Sequence, residues 1–297
     1  MTRDDLYPSR HGARPEILDR RDPVTYDGVP GPIDDDTLAC YAERGFLHLP
    51  ALFDAGEVAA FQAELDRLAE DPEIAASHRA VAEPDADHVL RSIFEVHQIS
   101  PVFRRLAQDP RLCGRARQIL GSGVYVHQSR VNYKRGFEGT PFQWHSDFET
   151  WHVEDGMPRM RALSVAVSLS ENNDFNGPLM VVPGSHLRFV ACVGETPPEN
   201  HKRSLREQVY GVPDHDSLRR LIEPHGLVAC KGPPGSVTFF DCNLMHGSTA
   251  NLSPYPRNNV FFVYNSIDNR LEAPFADLPP RPEHIASRCF VEVEPAS

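Results

Sequence analysis

The sequence predicts a mainly β protein with flanking helices, built on a double-stranded β-helix core of the jelly-roll, cupin-like kind. Three observations predict it. From Gly123 onward the chain is made of short segments rich in β-branched and aromatic residues. Gly, Pro or Asn bounds each of the later ones, as turn punctuation requires. The helix signals fall mainly before Gly123, so one sandwich with helices packed outside it satisfies both halves.

Taken in order, residues 1–33 are rich in Pro, Arg and Asp with little periodicity, and read as an extended N-terminal arm over the surface. Residues 34–122 form a mostly helical section that packs on the barrel. Asp36 to Gly45 is a short helix ending at a residue that tolerates the left-handed cap, and Phe46 to Pro50 follows as a strand. Asp54 and Glu57 make a capping box ahead of Val58, Phe61, Leu65 and Leu68 at helical spacing. Ser100-Pro101 and Asp109-Pro110 place Pro just after a capping residue, the second helix stopping near Gly121. Residues 123–270 hold the jelly-roll core, with strands at 124–133, 163–169, 179–182, 236–240 and 259–264. In 163–169 large apolar residues alternate with Ser164, Ala166 and Ser168, which gives the strand two unlike faces. Residues 193–225 read as a long polar insertion with a helix from His215 to Ile222. The whole chain, 1–297, is expected to be a single domain.

Composition excludes several classes. Lys and Arg total 30 against 42 Asp and Glu, a formal charge of −12, which argues against binding nucleic acid or an anionic membrane. No stretch approaches the ~20 apolar residues of a membrane span. The N-terminal segment carries charges where a secretion signal has its apolar core. The six Cys lie far apart with no Cys-x-x-Cys pair, so reduced thiols and a cytoplasmic location are expected.

The densest chemistry lies in Phe142 to Gly156, which holds both Trp, two His and four acids. Within it, His145-x-Asp147 puts an imidazole and a carboxylate on one face if the segment is a strand. Roughly one His-x-Asp is expected by chance in such a composition, so a surface His beside a solvated Asp stays open as the bland reading. His246, after the 236–240 strand, supplies a second imidazole. Two His and one carboxylate form a facial triad that leaves coordination positions for substrate and oxygen. Arg257 follows His246 by eleven residues, and no other His has an Arg at that spacing. An oxoacid that chelates iron leaves a far carboxylate, which a guanidinium grips through two parallel bonds. Ser248, between them, either adds a hydroxyl to that carboxylate or is a turn residue. Pro183 to His186 reads as a tight turn that holds the sheet, and His152-x-Glu154 is a weaker rival pair.

His145, Asp147, His246 and Arg257, with the Pro183–His186 turn and the Tyr41–Leu49 segment, resemble the phytanoyl-CoA-dioxygenase-like branch of the iron(II)/2-oxoglutarate-dependent oxygenases. The unbroken stretch Phe142 to Pro158 resembles the signature segment of the ectoine hydroxylases, and Asp5 to Arg10 is similar to their N-terminal motif. The resemblance runs from about residue 5 to 290. It implies a homodimeric enzyme that hydroxylates L-ectoine at ring carbon 5, consuming O2 and 2-oxoglutarate and releasing succinate and CO2. It also implies that His145, Asp147 and His246 hold Fe(II), that Lys134 and Arg257 bind 2-oxoglutarate, and that Gln128 and Trp151 hold the substrate. Oxygenase relatives that halogenate lack the carboxylate, so Asp147 favours hydroxylation.

The residues agree with these roles. Gln128, Asn132 and Lys134 share parity on one strand, a polar stripe suited to a small soluble ligand or, equally, to a solvent-facing edge. The Trp151 indole can attract a delocalised amidinium by ~0.5–2 kcal/mol, although core packing is the commoner role for a Trp. Phe142 and Trp144, flanking the metal pair, are expected to pack the barrel and exclude water. No side chain need act as a general base. Three rivals stay open: a hydroxylase of another small zwitterion such as an amino acid, a non-catalytic jelly-roll module that binds a ligand, and a zinc hydrolase.

Overall fold

The structure, a computed structural model, describes residues 4–84 and 86–296. Its strands are β1 (Glu16–Asp19), β2 (Phe46–Leu49), β3 (Ala80–Glu83), β4 (Ala86–Phe94), β5 (Val124–Lys134), β6 (Phe142–His145), β7 (Ala162–Ser168), β8 (Leu179–Val181), β9 (Arg188–Ala191), β10 (Val228–Cys230), β11 (Val237–Asp241), β12 (His246–Ser248) and β13 (Arg257–Ser266). They form a seven-stranded sheet in the order β2-β11-β7-β13-β5-β4-β3, a four-stranded sheet in the order β10-β8-β12-β6, and a small β1-β9 pair. The two larger sheets face each other as a jelly roll, every pairing antiparallel.

The alternation in β7 sorts its side chains between two environments. Leu163, Val165 and Val167 point outward into a core shared with Leu65, Leu68, Phe103, Leu106 and Ile119 of the helices. Ala166 points inward, against Leu179, Val181 and Phe240 between the two sheets. Small residues on the inner face leave the barrel room for a ligand, and large ones on the outer face seat the helices.

Those helices start and stop where their caps direct. Asp34 accepts from Thr37 N at the start of Asp35–Arg44, and Gly45 closes that helix at φ 79°. A Cβ at Gly45 would stand 2.4 Å from His186 Nδ1, so both the conformation and the space there demand glycine. Ala55–Glu70 begins with the full Asp54–Glu57 capping box. Ser100 caps Pro101–Ala107, and Asp109 caps a π-helical turn, Pro110–Gly114, that continues as Arg115–Leu120. The expected helix at 215–222 runs His215–His225. Among the described residues no helix is long and apolar enough to cross a membrane.

Two regions depart from expectation. Residues 80–94, placed in the mostly helical section, form the β3–β4 hairpin that extends the large sheet. The second half of β4 is buried on both faces, so its sequence shows no alternation. The N-terminal arm, whose first three residues lie outside the described ones, is more than a surface strap. Its β1 pairs with β9, and Tyr7 and Arg10 are buried.

Candidate metal centre and substrate pocket

Strand pairing builds the centre. His145, the last residue of β6, stands directly opposite His246, the first of β12, and the two rings are 4.2 Å apart. Asp147 is not on the strand with His145, as the spacing argument assumed. The chain turns at Ser146, and Asp147 opens a short helix, Asp147–Thr150. That turn brings its carboxylate across the gap, with Oδ1 3.6 Å from His145 Nε2 and Oδ2 3.9 Å from His246 Nε2. The three ligand atoms lie within 4.8 Å of one another.

The surroundings hold each ligand in a metal-binding form. His145 Nδ1 is 2.6 Å from Gln143 O, and His246 Nδ1 is 2.9 Å from Leu244 O. Each carbonyl accepts the Nδ1 proton, which leaves the Nε2 lone pair for a cation. Ser164, on the inner face of β7, donates to Asp147 Oδ2 (3.0 Å). Burial pushes His246 down to about 4, with His145 adding to the effect, so the ring stays neutral. Burial acts to raise the Asp147 carboxyl, but His246, His145 and Arg130 together hold it below its usual range. The donor set fits Fe(II), the metal expected of two imidazoles and a carboxylate with open positions.

Beside it lies a buried pair of basic side chains. Arg257, at the start of β13, pairs in register with Lys134, at the end of β5. Ser248, on β12, accepts from Lys134 Nζ (2.8 Å) and Arg257 Nη2 (3.3 Å), so it joins the two instead of serving only as a turn. Neither side chain has a carboxylate partner among the described residues, and Arg257 Nε has no hydrogen-bond partner. Burial, then Arg257 and Arg91, push Lys134 down to about 5, and burial with Arg91 pushes Arg257 to about 10. Arg257 is thus a buried cation without a counter-charge and Lys134 a buried amine held neutral beside it, and an incoming dicarboxylate favours the charged form of both.

On the other side of the ligands, Gln128, Arg130, Thr150, Trp151 and Arg281 line a cleft together with His145, Asp147 and Phe142. Gln128 Nε2 donates to Ile285 O (2.7 Å), while its Oε1 accepts from Arg130. Trp151 is 3% exposed and meets His127 edge-on. Phe142 carries the Arg91 guanidinium on its ring, 3.8 Å from the centroid, and Trp144 packs against Val182, Leu218 and Met245.

The rival His residues have other duties. His186 lies 3.0 Å from Ala42 O, which leaves it to hold the β8–β9 turn against the first helix. His152 bonds Met157 O and Asp5, and Glu154 bonds Arg10 and Asn200.

Sequence reading missed Arg130, Arg281 and Ser164. Arg130 has the same parity as Gln128, Asn132 and Lys134, so the stripe itself was a signal for it. Arg281 comes from a segment without regular structure and carries no such signal.

A family model described as phytanoyl-CoA dioxygenase (PhyH) matches residues 41–259. The ectoine dioxygenase of Bordetella bronchiseptica is 55% identical over 294 residues, covering 98% of this chain and 95% of that protein. The crystal structure of EctD from S. alaskensis with 2-oxoglutarate and 5-hydroxyectoine matches with a TM-score of 0.87 and 49% identity, covering 99% of this chain and 96% of that one. The same protein with bound Fe matches with a TM-score of 0.87 and 47% identity over 98% of each chain.

Proposed function

The chain belongs to the phytanoyl-CoA dioxygenase family and, within it, to the ectoine dioxygenases; from that membership we propose the reading its site supports best. It is an iron(II)- and 2-oxoglutarate-dependent dioxygenase that hydroxylates ectoine to 5-hydroxyectoine. The observation that carries the reading is the meeting of His145, Asp147 and His246 beside the buried Lys134 and Arg257, which have no carboxylate partner among the described residues.

When bound, iron(II) with 2-oxoglutarate and O2 supplies the oxidising chemistry, and succinate and CO2 leave. The chain supplies position. His145, Asp147 and His246 would hold the metal. Lys134 and Arg257 grip the far carboxylate of 2-oxoglutarate, which fixes its keto end toward the metal. Ectoine is a cyclic amidinium that carries a carboxylate. The Trp151 face suits its cation, Arg130 and Arg281 suit its carboxylate, and Gln128 both steadies Arg130 and has an N–H to spare. Phe142 walls the cleft beside the centre, and the small inner residues of β7 leave room for the ligands. No group needs to take a proton from carbon. A cytoplasmic homodimer that binds no nucleic acid completes the proposal; the −12 charge supports the last part.

Purified protein supplied with iron, 2-oxoglutarate and ectoine is expected to give a product heavier by one oxygen atom, with one succinate per product. His246→Ala is expected to lose both bound iron and product. Mass spectrometry and metal analysis read the two outcomes, and succinate formed without an ectoine product would assign a different substrate.

A further inference from the structure

The N-terminal arm reaches the substrate side of the site through one side chain. Arg10, 4% exposed, spends all five of its N–H groups. Nε and Nη2 form a fork on Glu149 (2.9 and 2.7 Å), Nη1 reaches Glu154 (2.6 Å) and Thr196 (3.0 Å), and Nη2 also reaches Thr150 Oγ1 (3.2 Å). Ser9 adds a bond of 2.6 Å to Glu149 Oε1. The arm's backbone is tied at the same place, with Arg10 N donating to Cys192 O (2.8 Å).

The partners of this guanidinium sit at 149, 150 and 154, on the short helical run that starts with Asp147 and carries Trp151. Thr150, Trp151 and Glu154 face the substrate cleft. Residues 151–155 form a π-helical turn, a less stable backbone that needs outside support. Arg10 itself sits at φ 62°, a left-handed conformation that a non-glycine residue keeps only where its surroundings over-determine it. Gly211 closes the site from the insertion at φ 73°, and a Cβ there would lie 2.3 Å from Glu149 Oε2 and 2.7 Å from Arg10 Nη2.

We infer that Arg10 is a positioning residue for the ectoine side of the pocket: its two-carboxylate clamp sets the Thr150–Trp151 wall without touching substrate. The inference rests on the ectoine reading of that pocket. The arm, 137 positions before Asp147, thereby governs substrate affinity, while the oxoacid side, built on β5, β12 and β13, is independent of it.

The test uses the full chain with Arg10→Ala, Arg10→Lys and Ser9→Ala. The only two Trp of the chain, Trp144 and Trp151, lie on either side of Asp147, so tryptophan emission of the metal-free protein reports on this segment directly. Arg10→Ala is expected to raise the ectoine KM about tenfold, keep the 2-oxoglutarate KM within about twofold, and shift the emission. Arg10→Lys keeps the charge but not the fork, and is expected to fold normally with an intermediate rise in ectoine KM. Ser9→Ala is expected to give a smaller rise. A folded Arg10 variant with wild-type ectoine KM and emission overturns the inference, as does an equal rise in both KM values. Should Arg10→Ala not fold, Arg10→Lys and Ser9→Ala decide by the same criteria. If wild type makes no hydroxyectoine while the emission still shifts on substitution, the ectoine reading fails and the clamp on Trp151 stands.

Discussion

Lys134 shows how burial turns a side chain into a proton acceptor. The residue is 2% exposed, with Arg257 and Arg91 as neighbours, and its amine is pushed to about 5 from an ordinary 10.5. Between those values the unfolded chain holds a proton that the folded, ligand-free protein lacks. This group's contribution to stability therefore rises with pH through that window. A bound dicarboxylate reverses the imbalance by favouring the charged amine, so 2-oxoglutarate binding near pH 7.5 is expected to take up close to one proton. Titration calorimetry in two buffers of different ionisation heat measures the uptake, and Lys134→Met is expected to abolish it. By the same linkage the oxoacid is expected to bind more weakly as pH rises. Nothing in a lone Lys of a strand pattern announces this. The parity of Lys134 with Gln128 was legible, but the shift depends on Arg257 and Arg91, which only the fold brings near.

At the scale of elements, caps and alternation were legible because they are local. The Asp54–Glu57 box, the Gly45 cap and the Ser164-Ala166-Ser168 face need only their sequence neighbours, and the structure has all three. Asp54→Ala removes the side-chain acceptor of Glu57 N and is expected to destabilise the protein by about 1 kcal/mol while leaving KM for both substrates unchanged. Thermal unfolding and steady-state kinetics separate the two effects, because Ala55–Glu70 packs on the outer face of the large sheet, away from the metal. The β3–β4 hairpin and β1 were not legible. Their identity depends on partners, β5 and β9, that lie about forty and one hundred and seventy positions downstream. The His145–Asp147 pair was found by spacing but for the wrong local reason: a turn into a helix, not a shared strand face, brings the carboxylate to the imidazoles.

For the whole molecule, the site is a junction of the two sheets, the arm, the insertion and the C-terminal segment that carries Arg281. Its ligands should therefore stabilise the entire fold. Metal and 2-oxoglutarate together, at one hundred times the dissociation constant of the bound pair, are expected to add about 2.7 kcal/mol. A rise in the thermal midpoint that disappears with a chelator checks this, and no rise would mean that the ligands fail to favour the native state. This convergence was the least legible level. Composition gave class and exclusions, while the approach of positions 10, 130 and 281 to one cleft is a property of the folded topology alone.

That dispersal has a consequence for how the protein is made. A ribosome adding about 5–20 residues per second needs roughly 15 to 50 seconds to pass from Arg10 to Arg281. His145 and Asp147 emerge far ahead of His246, so the nascent polypeptide spends part of its synthesis offering a metal only two of its three donors. The full set of three donors is complete only after elongation has delivered the third imidazole, and the cleft only after the Arg281 guanidinium.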